Sequence, residues 1–242
     1  MTVRIAMWSG PRNLSTAMMR SFGSRTDTYV SDEPFYGCFL KHTGADHPMR
    51  DETIAAMDCD WRSVMARLRS EPPTGSPIWY QKHMWHHMTG PIGYADFEGF
   101  THAFLIREPE RMIASYLRKR ECAAFESFGL DRQADFFERE ADRLGHAPPV
   151  IDANDVLADP EGVLFALCEA LGIGWDKAML SWEPGRRKTD GPWAPHWYGA
   201  VEKSTAFGRP DSDPVELPDP AQRLAERCRP YYERLAAFRL RP

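Results

Sequence analysis

The sequence predicts an α/β protein: a single three-layer α/β/α domain with a central parallel sheet of about five strands. Two observations support this prediction. Short apolar segments of strand character alternate with segments of helical periodicity, which is typical of parallel strands joined by right-handed helical crossovers. In addition, a length of 242 residues and a hydrophobic fraction of 43% suit one domain with a sizeable core.

Five segments are predicted as strands because they are short, apolar and bounded by turn residues. In chain order they are 3–8, 28–31, 78–82, 102–107 and 149–152. Helices are predicted where apolar residues recur at helical spacing or where a proline can occupy the first turn. They are 15–23, 53–69, 109–120, 131–144, 159–171 and 220–238, with a short helical patch at 96–99.

The remaining segments are predicted as loops. Residues 37–50 are polar and contain glycine, histidine and proline, and residues 71–77 form a turn-rich break. Residues 182–218 contain five aromatic side chains, so we interpret them as a long loop packed over a binding site; aromatic side chains that simply dock on the core are the alternative. The predicted domain, 1–242, thus divides into an α/β core, 1–175, and a C-terminal loop and helix, 176–242.

The overall composition argues against several classes of protein. A net charge of −5 and a pI near 5.9 argue against nucleic-acid and membrane-surface binding. The sequence shows no secretory signal peptide, and no apolar run approaches the roughly 20 residues that span a bilayer. The five cysteines are widely spaced and odd in number, which fits neither a disulfide framework nor a zinc site. We therefore expect a cytoplasmic protein.

The loop between the first strand and the first helix is predicted to bind an anion. It consists of Gly10, Pro11, Arg12, Asn13 and Leu14, and the helix opens with Ser15 and Thr16. Backbone N–H groups at a helix N-terminus lack intrahelical partners, and the helix dipole favours negative charge there. The guanidinium of Arg12 and the two hydroxyls add further donors, so a phosphate is the expected ligand.

This loop differs from the loop that binds the phosphates of ATP. That motif, GxxxxGK[ST], places a Gly-Lys pair before the hydroxyl residue that holds magnesium. Here Asn13-Leu14 precedes Ser15, so an anion site is predicted without the metal-nucleotide signature. An ordinary strand-to-helix turn with Ser15 as N-cap is the alternative interpretation.

A second phosphate site is predicted after the fourth strand. Arg107 ends that strand, Pro109 begins the next helix, and Ser115 lies about two turns further on. A guanidinium and a hydroxyl can hold a phosphate monoester with charge-assisted hydrogen bonds. Because the carboxyl ends of parallel strands share one edge of the sheet, both sites are expected on one rim, as a nucleoside with a phosphate at each end requires.

These segments resemble the sulfotransferase family, whose members use 3′-phosphoadenosine 5′-phosphosulfate (PAPS). The resemblance spans 3–174 and includes the pattern RxPx5S, which Arg107, Pro109 and Ser115 match, and a strand-loop-helix segment at 151–172. It implies a P-loop NTPase-like fold, a 5′-phosphosulfate site at loop 9–16 and a 3′-phosphate site at Arg107 and Ser115. This chain departs from the family at two positions: Arg12 and Leu14 stand where the commonest form of the family has lysine and glycine.

The resemblance also suggests catalytic residues. In-line sulfonate transfer needs donors for the leaving oxygen and a base for the acceptor, but no metal ion. Arg12 and Lys82 are the candidate donors. Glu33 and His83 are the candidate bases, and we favour Glu33 because Glu33-Pro34 resembles an acidic-proline pair in which the glutamate is the base.

Further nucleotide contacts are implied by a basic C-terminal loop in the family, for which Lys203 is the candidate here. Trp8 and Trp197 are candidates for stacking on adenine, with a place in the core as the alternative for each. The histidines His83, His86 and His87 are not expected to bind a metal, because Met84, Trp85 and Met88 are interleaved with them and no HExxH acid is present.

The predicted function is therefore a metal-independent sulfotransferase acting on a hydroxyl or amine of a small-molecule or carbohydrate acceptor. One alternative is a P-loop kinase-like ATP phosphotransferase, against which the missing Gly-Lys pair argues. The other is a non-catalytic nucleotide-binding protein on the same fold, which the departures at Arg12 and Leu14 keep open.

Overall fold

The computed structural model describes residues 2–210 and 213–241. Its strands lie parallel in one sheet, in the order β2-β3-β1-β4-β5. They are β1 (Val3–Ser9), β2 (Thr28–Asp32), β3 (Ile78–Met84), β4 (Thr101–Ile106) and β5 (Val150–Asp152). These bounds agree with the sequence prediction to within two residues at each end, and the predicted parallel α/β fold is confirmed.

Helices pack around this sheet. They are α1 (Ser15–Gly23), α2 (Tyr36–Thr43), α3 (Arg50–Ala56), α4 (Trp61–Arg69), α5 (Pro109–Leu117), α6 (Leu130–Leu144), α7 (Ala153–Ala158), α8 (Pro160–Ala170), α9 (Ala194–Trp197) and α10 (Asp219–Ala236). Within the described ranges, none of them combines the length and the apolar character that crossing a membrane requires.

Strand β1 occupies the centre of the sheet and is apolar on both faces. Ile5 and Met7 belong to a core that includes residues of α1 and α8, whereas Ala6 and Trp8 belong to a second core with residues of α4 and α6. Successive side chains of a strand point to opposite faces. The sheet is therefore covered on both sides, which gives the three layers that the sequence predicted.

The structure departs from the prediction between residues 36 and 69. The predicted loop 37–50 contains α2, which buries its apolar side chains despite the polar composition of the segment. The predicted helix 53–69 is two helices: α3 ends at Ala56, where Met57 is extended, and Asp60 starts α4 by accepting a hydrogen bond from the N–H of Ser63 at 2.7 Å. Apolar residues keep their helical spacing across this cap, so periodicity alone indicated one helix.

A similar cap creates a helix that the sequence prediction missed. The carboxylate of Asp152 accepts a hydrogen bond from the N–H of Asn154 at 2.7 Å and starts α7 directly after β5. This segment was predicted as a loop leading to the helix at 159–171.

Residues 181–208, here called the strap, follow the core. The ends of the strap meet where the N–H of Trp182 donates to the carbonyl of Thr205 at 2.8 Å. Its middle is fixed to α1 by an ion pair between Arg20 and Asp190, whose side chains are 3% and 0% exposed. The strap therefore packs on the core as an ordered segment with a short helix, α9, rather than as a simple loop.

Candidate functional site

The loop after β1 has a strained backbone that presents the start of α1. Arg12 and Leu14 adopt positive φ angles of 66° and 71°, the left-handed region that costs a side-chain-bearing residue roughly 1–2 kcal/mol. Leu14, not Ser15, is the N-cap of α1, and no side chain caps the helix. The first N–H groups of α1 are thus left without a side-chain partner, as an anion site requires.

The other residues of this loop are mostly enclosed. Pro11 lines a cavity described below, while Gly10 lies under the carbonyl of Phe128, which a Cβ at Gly10 would meet at 3.2 Å. Asn13 is fully buried, and no hydrogen-bond partner for its amide lies among the described residues. Close packing of the loop thus holds the backbone in its strained shape.

The residues of the two predicted phosphate sites meet at one cavity of about 260 Å³, here called the Arg107 cavity. The Arg107 guanidinium donates to the carbonyl of Arg12 at 2.8 Å, and Arg12 Nε donates to Ser115 Oγ at 3.2 Å. The lining residues are Arg12, Leu14, Ser15, Thr16, Ala17, Arg107, Ser115, Trp197, Tyr198, Ala200, Val201, Ser204, Ala206, Phe207 and Gly208.

Positive charge is concentrated at this cavity. Burial lowers the pKa of Arg12, and the neighbouring charges of Arg118 and Arg107 lower it further. Repulsion between these guanidiniums is relieved when an anion binds between them. The Arg107 cavity therefore has the electrostatic character of a phosphate site.

A second cavity, of about 70 Å³, adjoins the first and is here called the Glu33 cavity. It is lined by Pro11, Arg12, Ser15, Thr16, Glu33, Tyr36, His47, Lys82, Met84, His86, His87, Tyr116, Trp193, Trp197 and Tyr198. The two cavities share Arg12, Ser15 and Thr16 from the start of α1, together with Trp197 and Tyr198 from the strap. The N-terminus of α1 thus lies at their common boundary.

Lys82 lies at the wall of the Glu33 cavity with its side chain 1% exposed. Its ammonium donates to Glu33 Oε1 at 2.7 Å, to Asp32 Oδ1 at 3.0 Å and to the Tyr198 hydroxyl at 2.6 Å. It also donates a longer hydrogen bond, of 3.3 Å, to Thr16 Oγ1. The buried charge is stable because opposite charges and polar groups surround it.

Tyr198 connects the strap to this cluster. Its hydroxyl donates to the Asp32 carboxylate, at 2.7 Å from Oδ2, and accepts a hydrogen bond from Trp193 Nε1 at 3.0 Å. The backbone N–H of Gly191, also in the strap, donates to Asp32 Oδ2 at 3.1 Å. Asp32 is thus held by several donors besides Lys82.

The charges of this cluster shift one another's pKa values. Burial raises the pKa of Glu33 to about 7, against the lowering effect of Lys82 and with a further raising effect of Asp32. Burial lowers the pKa of Lys82, but the charges of Asp32 and Glu33 outweigh it, and the pKa rises above its ordinary value. Lys82 is therefore a permanent cation, and Glu33 has the proton affinity of a general base.

His83 lies away from both cavities. It follows Lys82 on β3 and points to the opposite face, where its ring stacks on Trp8 at 4.7 Å and Nε2 lies 3.2 Å from Gln81 Oε1. Burial lowers its pKa to about 3. The structure thus brings Glu33, but not His83, to the cavity.

Other histidines line the Glu33 cavity in its place. His87 stacks on Tyr36 at 4.3 Å, and its Nδ1 lies 3.7 Å from Glu33 Oε2; His47 and His86 also line the wall. Burial lowers the pKa of all three. Among the described residues, no group of three or more histidine, cysteine or acidic side chains could hold a metal ion.

Two further candidates are placed outside the cavities. Lys203 is exposed and lines neither cavity, whereas its neighbour Ser204 lines the Arg107 cavity. Trp8 is fully buried between β3 and α6, where its Nε1 donates to His102 at 3.0 Å, so it has the core position that the sequence left as the alternative. Trp197 lines both cavities.

Comparison with known proteins gives consistent results along the chain. Residues 3–238 match the family model described as a sulfotransferase domain. The branched-chain-amino-acid aminotransferase-like proteins 2 and 1 of Arabidopsis thaliana are 36% and 37% identical over 228 and 229 residues, or 94% of this chain. The chain spans 40% of the length of each of these relatives.

Solved structures show the same architecture. The sulfotransferase domain from the curacin biosynthetic pathway is 15% identical, with a TM-score of 0.53 over 94% of this chain and 97% of that one. The sulfotransferase from Alicyclobacillus acidocaldarius is 16% identical, with a TM-score of 0.56 over 98% and 95% of the two chains. At these identities, the similarity establishes the fold.

Proposed function

Because this chain belongs to the sulfotransferase family, we propose that it transfers a sulfonate group from PAPS to a hydroxyl or amine of a small-molecule or carbohydrate acceptor without a metal ion. The observation that carries this proposal is the common boundary of the two cavities at the N-terminus of α1. A phosphate-binding cavity lies on one side of this boundary, and a buried carboxylate with a raised pKa lies on the other. Donor and acceptor can therefore meet there.

The residues of the Arg107 cavity fit the donor. Arg107 and Ser115 would bind the 3′-phosphate, and the uncapped start of α1 with Arg12, Ser15 and Thr16 would bind the 5′-phosphosulfate. Trp197 and Phe207 line the same cavity and offer aromatic surface to adenine. PAPS would supply the activated sulfonate, and these residues would orient it and balance its negative charge.

The residues of the Glu33 cavity fit the acceptor side. Glu33 takes the proton of the attacking hydroxyl or amine, because its raised pKa makes it an effective base near neutral pH. Arg12 and Lys82 place positive charge where the leaving oxygen becomes negative. Aromatic rings of Tyr36, Trp193 and the histidines line this side and offer packing surface to the acceptor.

Calorimetric titration tests the donor assignment. We expect 3′-phosphoadenosine 5′-phosphate to bind tightly without metal, and ATP with magnesium to bind weakly. The opposite order would contradict the proposal and favour a phosphotransferase. Incubation with radiolabelled PAPS and a panel of alcohols, amines and sugars then tests transfer, since nucleotide binding without transfer to any acceptor would favour a non-catalytic binding protein.

We also propose a reducing compartment, the cytoplasm. All five cysteines are free, and Cys38, Cys168 and Cys228 are buried as thiols. Cell fractionation with thiol labelling checks this, because recovery of the protein with oxidised cysteines from an extracytoplasmic fraction would contradict it.

A further inference from the structure

The ammonium of Lys82 has no N–H left to give to a substrate. A lysine ammonium carries three N–H bonds. Four acceptors share them: those on Glu33, Asp32 and Tyr198 lie within 3.0 Å of Nζ, and Thr16 Oγ1 lies at 3.3 Å. The group is buried away from water. A new acceptor, such as the oxygen that leaves sulfur, can be bound only if one of these contacts is released.

The three short contacts differ in how easily they can be released. Asp32 lines neither cavity and is fixed by Tyr198 and the N–H of Gly191. Tyr198 is fixed by Asp32 and Trp193. The Glu33 side chain is 10% exposed and faces the cavity in which the acceptor reacts. Glu33 is therefore the partner whose charge changes during the reaction.

We propose that Glu33 holds Lys82 away from the donor until Glu33 takes up the acceptor's proton, and that this proton releases one N–H of Lys82 to the leaving oxygen. This inference rests on the proposed function. The acceptor oxygen forms the new bond to sulfur with its lone pair, and its proton moves to the Glu33 carboxylate. The bond between sulfur and the 5′-phosphate oxygen breaks, and its electron pair stays on that oxygen. Lys82 keeps all its protons and redirects one N–H from neutral Glu33 to the new negative charge.

The position of Thr16 indicates the direction in which Lys82 would turn. Its hydroxyl oxygen accepts the longest of the four hydrogen bonds of Nζ, at 3.3 Å, and Thr16 lies in the first turn of α1, on the boundary shared by both cavities. A small rotation of the ammonium away from Glu33 therefore points the released N–H at the anion site. Without an acceptor, the ammonium stays bound to Glu33 and does not activate the donor toward water.

A double-mutant cycle on nucleotide binding tests this inference. The ligands are 3′-phosphoadenosine 5′-phosphate, which carries the leaving oxygen, and adenosine 3′-phosphate, which lacks it. We expect Lys82→Met to weaken binding of the bisphosphate less than about threefold when Glu33 is present. In the Glu33→Met background, where position 33 offers no oxygen to Lys82, the same change should weaken it at least about tenfold, the value of one charge-assisted hydrogen bond.

Adenosine 3′-phosphate is the matched control. It should bind all four proteins alike, since it needs only the Arg107 side of the site, and its binding verifies that each variant is folded. An equal cost of Lys82→Met in both backgrounds would overturn the inference while leaving the proposed function intact. If the folded wild-type protein binds neither nucleotide, the proposed function fails and the inference fails with it.

Discussion

The ion pair between Arg20 and Asp190 is expected to fix the strap on the core, and its removal should be strongly destabilising. The guanidinium of Arg20 on α1 holds both carboxylate oxygens of Asp190, at 2.5 and 2.7 Å, and both side chains are almost completely buried. Asp190 also accepts a hydrogen bond from the N–H of Arg187 at 2.7 Å. Asp190→Asn keeps the shape of the side chain but leaves the cation of Arg20 without its charge partner.

The expected cost follows from the burial of the pair. Breaking a buried ion pair by removing one partner costs about 3–5 kcal/mol, a large part of the roughly 5–15 kcal/mol that stabilises a typical protein. With a urea m-value of about 3 kcal/mol/M, the unfolding midpoint should fall by roughly 1–1.7 M. The melting temperature should fall by about 6–20 °C for a chain of this length.

Urea unfolding monitored by tryptophan fluorescence measures this effect, with Arg20→Met/Asp190→Leu as the matched control. Replacing both partners by apolar residues leaves no unpaired buried charge, so this variant should unfold within about 1 kcal/mol of wild type. If Asp190→Asn also unfolds within about 1 kcal/mol of wild type, water reaches Arg20 and the strap is not fixed by this pair.

Three further results are expected. Glu33→Gln should retain nucleotide binding and lower kcat about 10²- to 10⁴-fold; in wild type, kcat should fall about tenfold per pH unit below the pKa of Glu33, about 7, because a base must be ionised. A pH-independent wild-type rate would exclude Glu33 as the base. Arg107→Ala should weaken binding of 3′-phosphoadenosine 5′-phosphate about 10- to 100-fold with kcat little changed, and equal affinity in calorimetry would remove Arg107 from the site. Gly145→Ala should cost about 1–2 kcal/mol in urea unfolding for its positive φ alone, whereas Gly129→Ala should cost about 1–3 kcal/mol more because its Cβ would lie 2.7 Å from Trp85; equal costs would show that Trp85 moves freely.

Features set by neighbouring residues were predictable from the sequence. The strands, the helix after β1 and the position of Arg107 beside Arg12 follow from apolar periodicity and from the common edge at which parallel strands end. The errors at α2 and α7 have local causes as well. Polar composition masked the first, and the capping carboxylate of Asp152 created the second.

The surroundings of the catalytic candidates were less predictable. Neighbouring residues of a strand face opposite sides, so at most one of Lys82 and His83 could face the cavity, but the sequence does not say which. The partnership of Lys82 with Tyr198 joins residues 116 positions apart and leaves no sequence pattern. His86 and His87 were noticed only as possible metal ligands, and the stacking of His87 on Tyr36 depends on the unforeseen helix α2.

This long-range partnership has a consequence for the order in which the protein matures during synthesis. The ribosome synthesises β3, which carries Lys82, more than a hundred codons before it adds Tyr198. The Tyr198 hydroxyl is one of the hydrogen-bond acceptors of the Lys82 ammonium. Until then, the ammonium lacks this hydrogen-bond partner. The hydrogen-bonded cluster around Lys82 is thus completed late, when the strap packs on the core.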